Sequence, residues 1–137
     1  MTLRVLKTLS PNDMGDTNSH QAGIHVPKAL AEFFPALEES TLNPRATLRL
    51  VNDNDDVGIC SYIHYNNKLV DAGTRDEYRI TRIRPFLVEC GAQSGDTVEL
   101  TRLGVNRYRV RVLPSRTLED SDTLIVDLAR GWKTVRR

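Results

Sequence analysis

Arg45-Ala46-Thr47-Leu48-Arg49-Leu50-Val51, then Asn52-Asp53-Asn54-Asp55-Asp56, then Val57-Gly58-Ile59-Cys60-Ser61-Tyr62-Ile63-His64-Tyr65: two extended runs flank five turn-forming residues. Leu48 and Leu50 alternate with charged neighbours, the period of a strand with one buried face, and the β-branched and aromatic residues of the second run favour the same state. The stretch predicts a hairpin, and therefore a fold built on a sheet.

Working outward, Asn66-Asn67-Lys68 and Asp71-Ala72-Gly73 are further turn signals, and the segment from Glu77 to Arg84 again reads as extended. Pro85 to Gly91 predicts a short helix, with proline at its start and glycine just past its end. Thr97-Val98-Glu99-Leu100-Thr101 and Tyr108-Arg109-Val110-Arg111-Val112 alternate around Gly104-Val105-Asn106, as in a sheet solvated on one face. Toward the N-terminus, Leu3 to Lys7 predicts a first strand. Ser10 to Ser19 is a long turn-rich loop, and Gly23-Ile24-His25-Val26 a short extended run. Pro27 suits the first turn of a helix carrying Leu30, Phe33, Phe34 and Leu37 at helical spacing, which Pro35 ends or distorts. The expectation is a mainly β protein with two short helices, a closed or nearly closed barrel of about seven strands.

The chain has 137 residues, 19 Lys and Arg against 18 Asp and Glu, and a net charge of +1. That length suits one domain with one core. We read residues 1–113 as the barrel and 114–137 as a C-terminal extension, linker or last strand that could pack on it. Near-neutral charge excludes a globally basic nucleic-acid binder, although a local basic stripe can supply phosphate contacts. Cys60 and Cys90 show no paired spacing and imply neither a disulfide framework nor a zinc site. No apolar run is long enough for a signal peptide or a membrane span, so a cytoplasmic location is expected.

Arg75, Glu77 and Arg79 carry the most chemistry. In an extended segment, side chains at i, i+2 and i+4 share a face. Arginine can make paired hydrogen bonds to guanine O6 and N7, and glutamate can accept one from cytosine N4, so the trio could read G·C pairs in a major groove. The competing reading is a strand face of mutually paired charges. Arg82 and Arg84 fall on the opposite parity, where phosphate contacts would be natural. Arg107, Arg109 and Arg111 also share a face and read as an ordinary solvated one. The loop from Ser10 to His25 offers Asn12, Asp13, Asn18, His20, Gln21 and His25 as hydrogen-bonding groups. His20 and His25 lack a third ligand at metal-binding spacing. Neither a phosphate loop nor a nucleophile elbow is present, and Asp96 and Glu99 lack the lysine of the common nuclease core. No cofactor and no catalytic residue is expected.

Leu9-Ser10-Pro11-Asn12-Asp13, then Ser19 through Lys28 (SHQAGIHVPK), then Gly73 through Arg82 (GTRDEYRITR) together resemble the two recognition arms of the N-terminal effector domain of EcoRII-type restriction endonucleases. The resemblance covers residues 3–113. It implies a DNA-binding pseudobarrel, a fold shared with plant transcription factors, whose N-arm and C-arm grip the major groove. It implies a CC(A/T)GG-type site, double-stranded DNA as partner, and a separate nuclease domain beside the module. It places the residues matching His20, His25, Arg75, Glu77 and Arg79 in the DNA-reading set; with their neighbours, the expected N-arm contacts are Asn12, Asp13, His20, Gln21, His25 and Lys28. Those of the C-arm are Asn67, Lys68, Arg75, Asp76, Glu77, Tyr78, Arg79 and Arg82. His25 stands where the family often has tyrosine, and Tyr78 where a basic residue can occur. Two rivals remain. One is a small metal-dependent nuclease using His20 and His25. The other is an interaction or inhibitory module of a nuclease, docking through Phe33, Phe34 and Trp132, which requires those three to be exposed.

Overall fold

A computed structural model describes residues 3–15, 23–113, 124–127 and 129–136. Alternation of apolar and polar residues produces nine strands in a single sheet among these residues. They are β1 (Arg4–Thr8), β2 (Ile24–Val26), β3 (Arg45–Val51), β4 (Val57–Tyr65), β5 (Glu77–Thr81), β6 (Thr97–Arg102), β7 (Arg107–Leu113), β8 (Leu124–Asp127) and β9 (Trp132–Arg136). The order across the sheet is β2-β5-β4-β3-β7-β6-β1-β9-β8, antiparallel throughout except for the parallel β3–β7 pair. Strands β1 to β7 match the seven expected, and together they form a nearly closed pseudobarrel. The β3–β4 hairpin pairs Arg45 with Ile63 through Val51 with Val57 around the predicted turn. Asn52 holds that turn, its Oδ1 accepting from the backbone N–H groups of Asn54 and Asp56.

Both anticipated helical segments exist, with different shapes. Lys28–Phe33 is a 3-10 helix rather than a longer α-helix, because Pro35 drives the preceding Phe34 to an extended conformation (φ −107°, ψ 165°). Leu37 therefore lies beyond it, packed against the core from a connecting segment. The second helix, α2 (Arg84–Glu89), starts as proline placement predicts. The extended reading of 77–84 is shortened: β5 ends at Thr81, and Arg82 takes a left-handed conformation (φ 64°) that turns the chain into α2. Phe86 of α2 lies over Gly58, where any Cβ would come within 2.3 Å of its ring, so glycine in β4 is the seat of that helix. One further helix, α1 (Asn67–Val70), occupies what the sequence showed as a turn.

The core is aromatic at its centre. Phe34 sits 4.8 Å from Tyr62 in a stacked arrangement, 5.2 Å from Phe33, 5.6 Å from Tyr108 and 6.4 Å from Trp132. Tyr108, fully buried, satisfies its hydroxyl on the Phe33 carbonyl at 2.7 Å. Trp132 comes from the C-terminal segment: β9 pairs with β1, Lys7 opposite Trp132, and the indole enters the core at 1 % exposure. Its Nε1 donates to the backbone carbonyl of His25 at 2.7 Å. That bond ties β2, one edge strand of the sheet, to β9, the neighbour of the other edge strand β8, across the gap where the sheet does not close on itself. Of the cysteines, Cys60 is buried, which pushes its thiol up to about 12, and Cys90 is half-buried; neither is in a disulfide.

Candidate functional site

Pairing of β2 with β5 sets the site. The register puts His25 beside Arg79, and that of β5 with β4 puts Arg79 beside Ile63 and Glu77 beside Tyr65. Side chains of one parity therefore run in a line from His25 through Arg79 and Glu77 to Arg75. Tyr78 and Ile80, of the other parity, face the core. Glu77 sits between the arginines. Arg75 donates to its Oε1 through Nε (3.0 Å) and Nη2 (2.5 Å), and Arg79 donates to its Oε2 through Nη2 at 3.3 Å. Burial works to raise the Glu77 carboxyl, but the hydrogen bonds and charges of Arg79 and Arg75 outweigh it and hold the group below its ordinary value.

The outer arginine is held from two further sides. Its guanidinium lies over the ring of Tyr65, 3.9 Å from the centroid. Its backbone N–H donates to Asn67 Oδ1 at 2.7 Å, and its carbonyl accepts from the Lys68 N–H at 2.9 Å. Helix α1 thus braces the C-arm, with the Asn67 side chain turned to the backbone and Lys68 exposed. Arg82 is also exposed and donates through Nη2 to Ser61 Oγ at 2.7 Å. Tyr78 is half-buried between Tyr62 and His64, its hydroxyl on Glu39 Oε2 at 3.1 Å. Asp76 binds Lys28 Nζ at 2.6 Å and His64 Nε2 at 2.8 Å. Those two hydrogen bonds, Lys28's the larger, lower its carboxyl.

The N-arm leaves the barrel after β1 and returns at Gly23, whose left-handed φ of +78° and approach to the Ile80 carbonyl (2.0 Å from a would-be Cβ) admit only glycine. At its base Ser10 and Asp13 cap one another: Asp13 Oδ2 accepts from the Ser10 N–H at 2.9 Å, and Ser10 Oγ from the Asp13 N–H at 3.1 Å. Lys7, almost fully buried, neutralises Asp13 at 3.2 Å and donates to the Arg130 carbonyl. Asn12 lies in the same turn. His20 and Gln21 lie outside the described residues. A cavity of about 390 Å³ opens at this base, between Lys7, Asn12 and Asp13 on one wall and His25, Arg79 and Arg130 on the other. The structure thus brings His25 together with the C-arm trio, and joins Lys28 to Asp76. Tyr65, Ser61, His64 and Glu39 were missed by the sequence reading. Pairing Tyr65 with Glu77 across a β4–β5 hairpin would have found the first.

His25 is held below the ordinary histidine value of 6.5, first by burial and then by the charges of Arg130 and Arg79, against an opposing pull from Glu77. Its folded form favours the neutral ring. The stability this contributes is complete above 6.5 and is lost as pH falls through the lowered folded value. A ring-proton NMR titration will therefore find a His25 midpoint under 6.5, and Arg130→Gln will raise it. A midpoint above 6.5 would mean that the ring is not enclosed by these cations.

The family model for the N-terminal domain of the restriction endonuclease EcoRII matches residues 2–88, which span both arms, the barrel from β1 to β5 and α2. The type II restriction enzyme EcoRII of Escherichia coli is 36 % identical over 81 residues, 56 % of this chain and 20 % of that enzyme. The chain thus matches a fifth of the length of its curated relative. Family model, relative and pseudobarrel agree: the chain belongs to the family of EcoRII N-terminal domains.

Proposed function

We propose that this chain is a sequence-specific double-stranded DNA reader, the effector or targeting domain of a restriction endonuclease, without catalytic chemistry of its own. Its two arms would enter the major groove of a CC(A/T)GG-type site. The observation that carries this reading is the line His25–Arg79–Glu77–Arg75, which sets the exposed Arg75 guanidinium, the half-buried Glu77 carboxylate and the buried Arg79 guanidinium at the cavity wall on one face. A G·C pair offers acceptors on guanine and a donor on cytosine, the complement of that set. Lys68 and Arg82, exposed beside the line, suit phosphates, and the N-arm residues His20 and Gln21 suit base edges by their resemblance to the family. A nuclease domain would act beside this module in a longer protein.

The interaction-module reading loses its surface, because Phe33, Phe34 and Trp132 are all buried. Among the described residues no helix is long and apolar enough to cross a membrane.

Fluorescence anisotropy with a CC(A/T)GG duplex and a scrambled one, across a salt series, tests the proposal. Wild type is expected to prefer the cognate duplex by about a thousandfold or more. Arg75→Ala will cost about 1–3 kcal/mol, mainly on that duplex. Equal affinities with steep salt dependence would reduce the protein to a phosphate binder. Duplex cleavage on adding magnesium, lost in His20→Ala, would overturn the non-catalytic part.

A further inference from the structure

Among the described residues His64 is the one histidine whose side chain is enclosed, 4 % exposed, and both of its ring nitrogens face carboxylates. Nδ1 lies 2.8 and 3.0 Å from the two oxygens of Glu39, and Nε2 lies 2.8 Å from Asp76 Oδ1. The ring is stacked flat on Tyr78, 4.1 Å between centroids at 14°. Tyr78 in turn donates its hydroxyl to Glu39, and Lys28 takes the second oxygen of Asp76. The five polar groups come from four parts of the chain: Glu39 from the segment after the 3-10 helix, His64 from β4, Asp76 and Tyr78 from the C-arm, and Lys28 from the start of the 3-10 helix.

Such a bridge engages both ring nitrogens of His64, both oxygens of Glu39 and both oxygens of Asp76 in one network with the Tyr78 hydroxyl and Lys28 Nζ. Buried charge is tolerated where it is paired and hydrogen-bonded, and what such a network supplies best is a unique geometry rather than net stability. The geometry it fixes is that of Asp76. In an extended chain Asp76 points to the side opposite Arg75 and Glu77, so tying its carboxylate inward fixes the outward direction of the two residues flanking it. The other face of the same segment is held by Asn67 on the Arg75 backbone.

We infer that His64 and Glu39 are positioning residues for base reading: gripping Asp76 from beneath, they hold Arg75 and Glu77 in the orientation that discriminates one duplex from another. This assigns Asp76, Lys28 and Tyr78 to the support of the arm rather than to DNA, and it rests on the DNA-reading proposal above.

The test combines DNA affinity with hydrogen exchange of the free protein, for His64→Gln, Asp76→Asn, the double variant and Glu39→Gln. His64→Gln is expected to weaken cognate binding at least tenfold and scrambled binding less than twofold. Amides of residues 71–77 should exchange at least tenfold faster while those of β3 and β7 keep their protection. Asp76→Asn should do the same, and the double variant should be no worse than either single one, since both cut one link. Cognate affinity within twofold of wild type in His64→Gln, or losses that multiply in the double variant, would overturn the inference. Should His64→Gln not fold, Glu39→Gln, at a half-exposed side chain, carries the test in the same direction with a smaller effect. A wild type that cannot tell the duplexes apart removes the DNA-reading proposal and the base-reading part of this inference with it; unchanged exchange of residues 71–77 in His64→Gln, measured without DNA, overturns the positioning itself.

Discussion

Trp132→Ala will destabilise the protein by about 3–5 kcal/mol, the range for deleting a large aromatic from a packed core. Against a total of roughly 5–15 kcal/mol, that is about a fifth of the stability or more. The indole is enclosed, touches Phe34 edge to face and carries Lys7 Nζ 5.9 Å from its ring centroid. Its Nε1 also makes the hydrogen bond to the His25 carbonyl that joins the two sides of the seam. Alanine leaves a cavity and strands a carbonyl at the root of the N-arm. Trp132→Phe separates the two losses: it keeps most of the apolar contact and should cost about 0.5–1.5 kcal/mol for the hydrogen bond, plus a share for the smaller ring. Urea denaturation of both variants measures this directly. A chain ending at Leu113 loses the same indole and the β1–β9 pairing, so it should be at least as unstable as Trp132→Ala. If Trp132→Ala instead unfolds within 1 kcal/mol of wild type, β9 is a peripheral addition and residues 1–113 stand as a unit.

Alternation exposes strands because it is local: Leu48 and Leu50, Val98 and Leu100, or Tyr108 and Val110 declare their buried face within a few residues. Thus β1 to β7 were legible nearly to their ends. Partners across 100 residues are not declared in that way. Nothing in Gly131-Trp132-Lys133 says that the indole caps a backbone carbonyl of β2, or that Lys7, in the first strand, is buried against Asp13. The shared face of Arg75, Glu77 and Arg79 was legible for the same reason the strands were, although Arg75 precedes β5 and is held in line by Asn67 and Tyr65 instead. Asp76 read as one more polar arm residue. Its inward role depends on His64 and Glu39, 12 and 37 positions away, and only the folded register brings them together.

Glu77→Ala should move the two duplexes in opposite directions. On the cognate site it removes an acceptor for cytosine N4 and the brace between two guanidinium groups, a loss of about 1–3 kcal/mol, or roughly five- to more than a hundredfold. On a scrambled duplex it removes a negative charge from the arm and frees Arg75 from its pairing, so phosphate attraction strengthens and low-salt affinity rises. The discrimination ratio therefore collapses from both ends. A face of mutually paired surface charges with no base-reading role predicts something else: equal factors on both duplexes, or no change. Stability should fall as well, by about 1–3 kcal/mol, since Arg79 is nearly buried and Glu77 is one of its partners. Affinities are accordingly compared well below the melting temperature. The pH dependence follows from the lowered Glu77 carboxyl. Its contribution is complete above the ordinary value of 4.5 and fades only as pH falls through the lower folded value, so this group keeps discrimination intact throughout the neutral range. Acid loss of discrimination setting in between pH 6 and 7 would point to a histidine and away from Glu77, and His25, one strand across from Arg79, is the histidine beside the line.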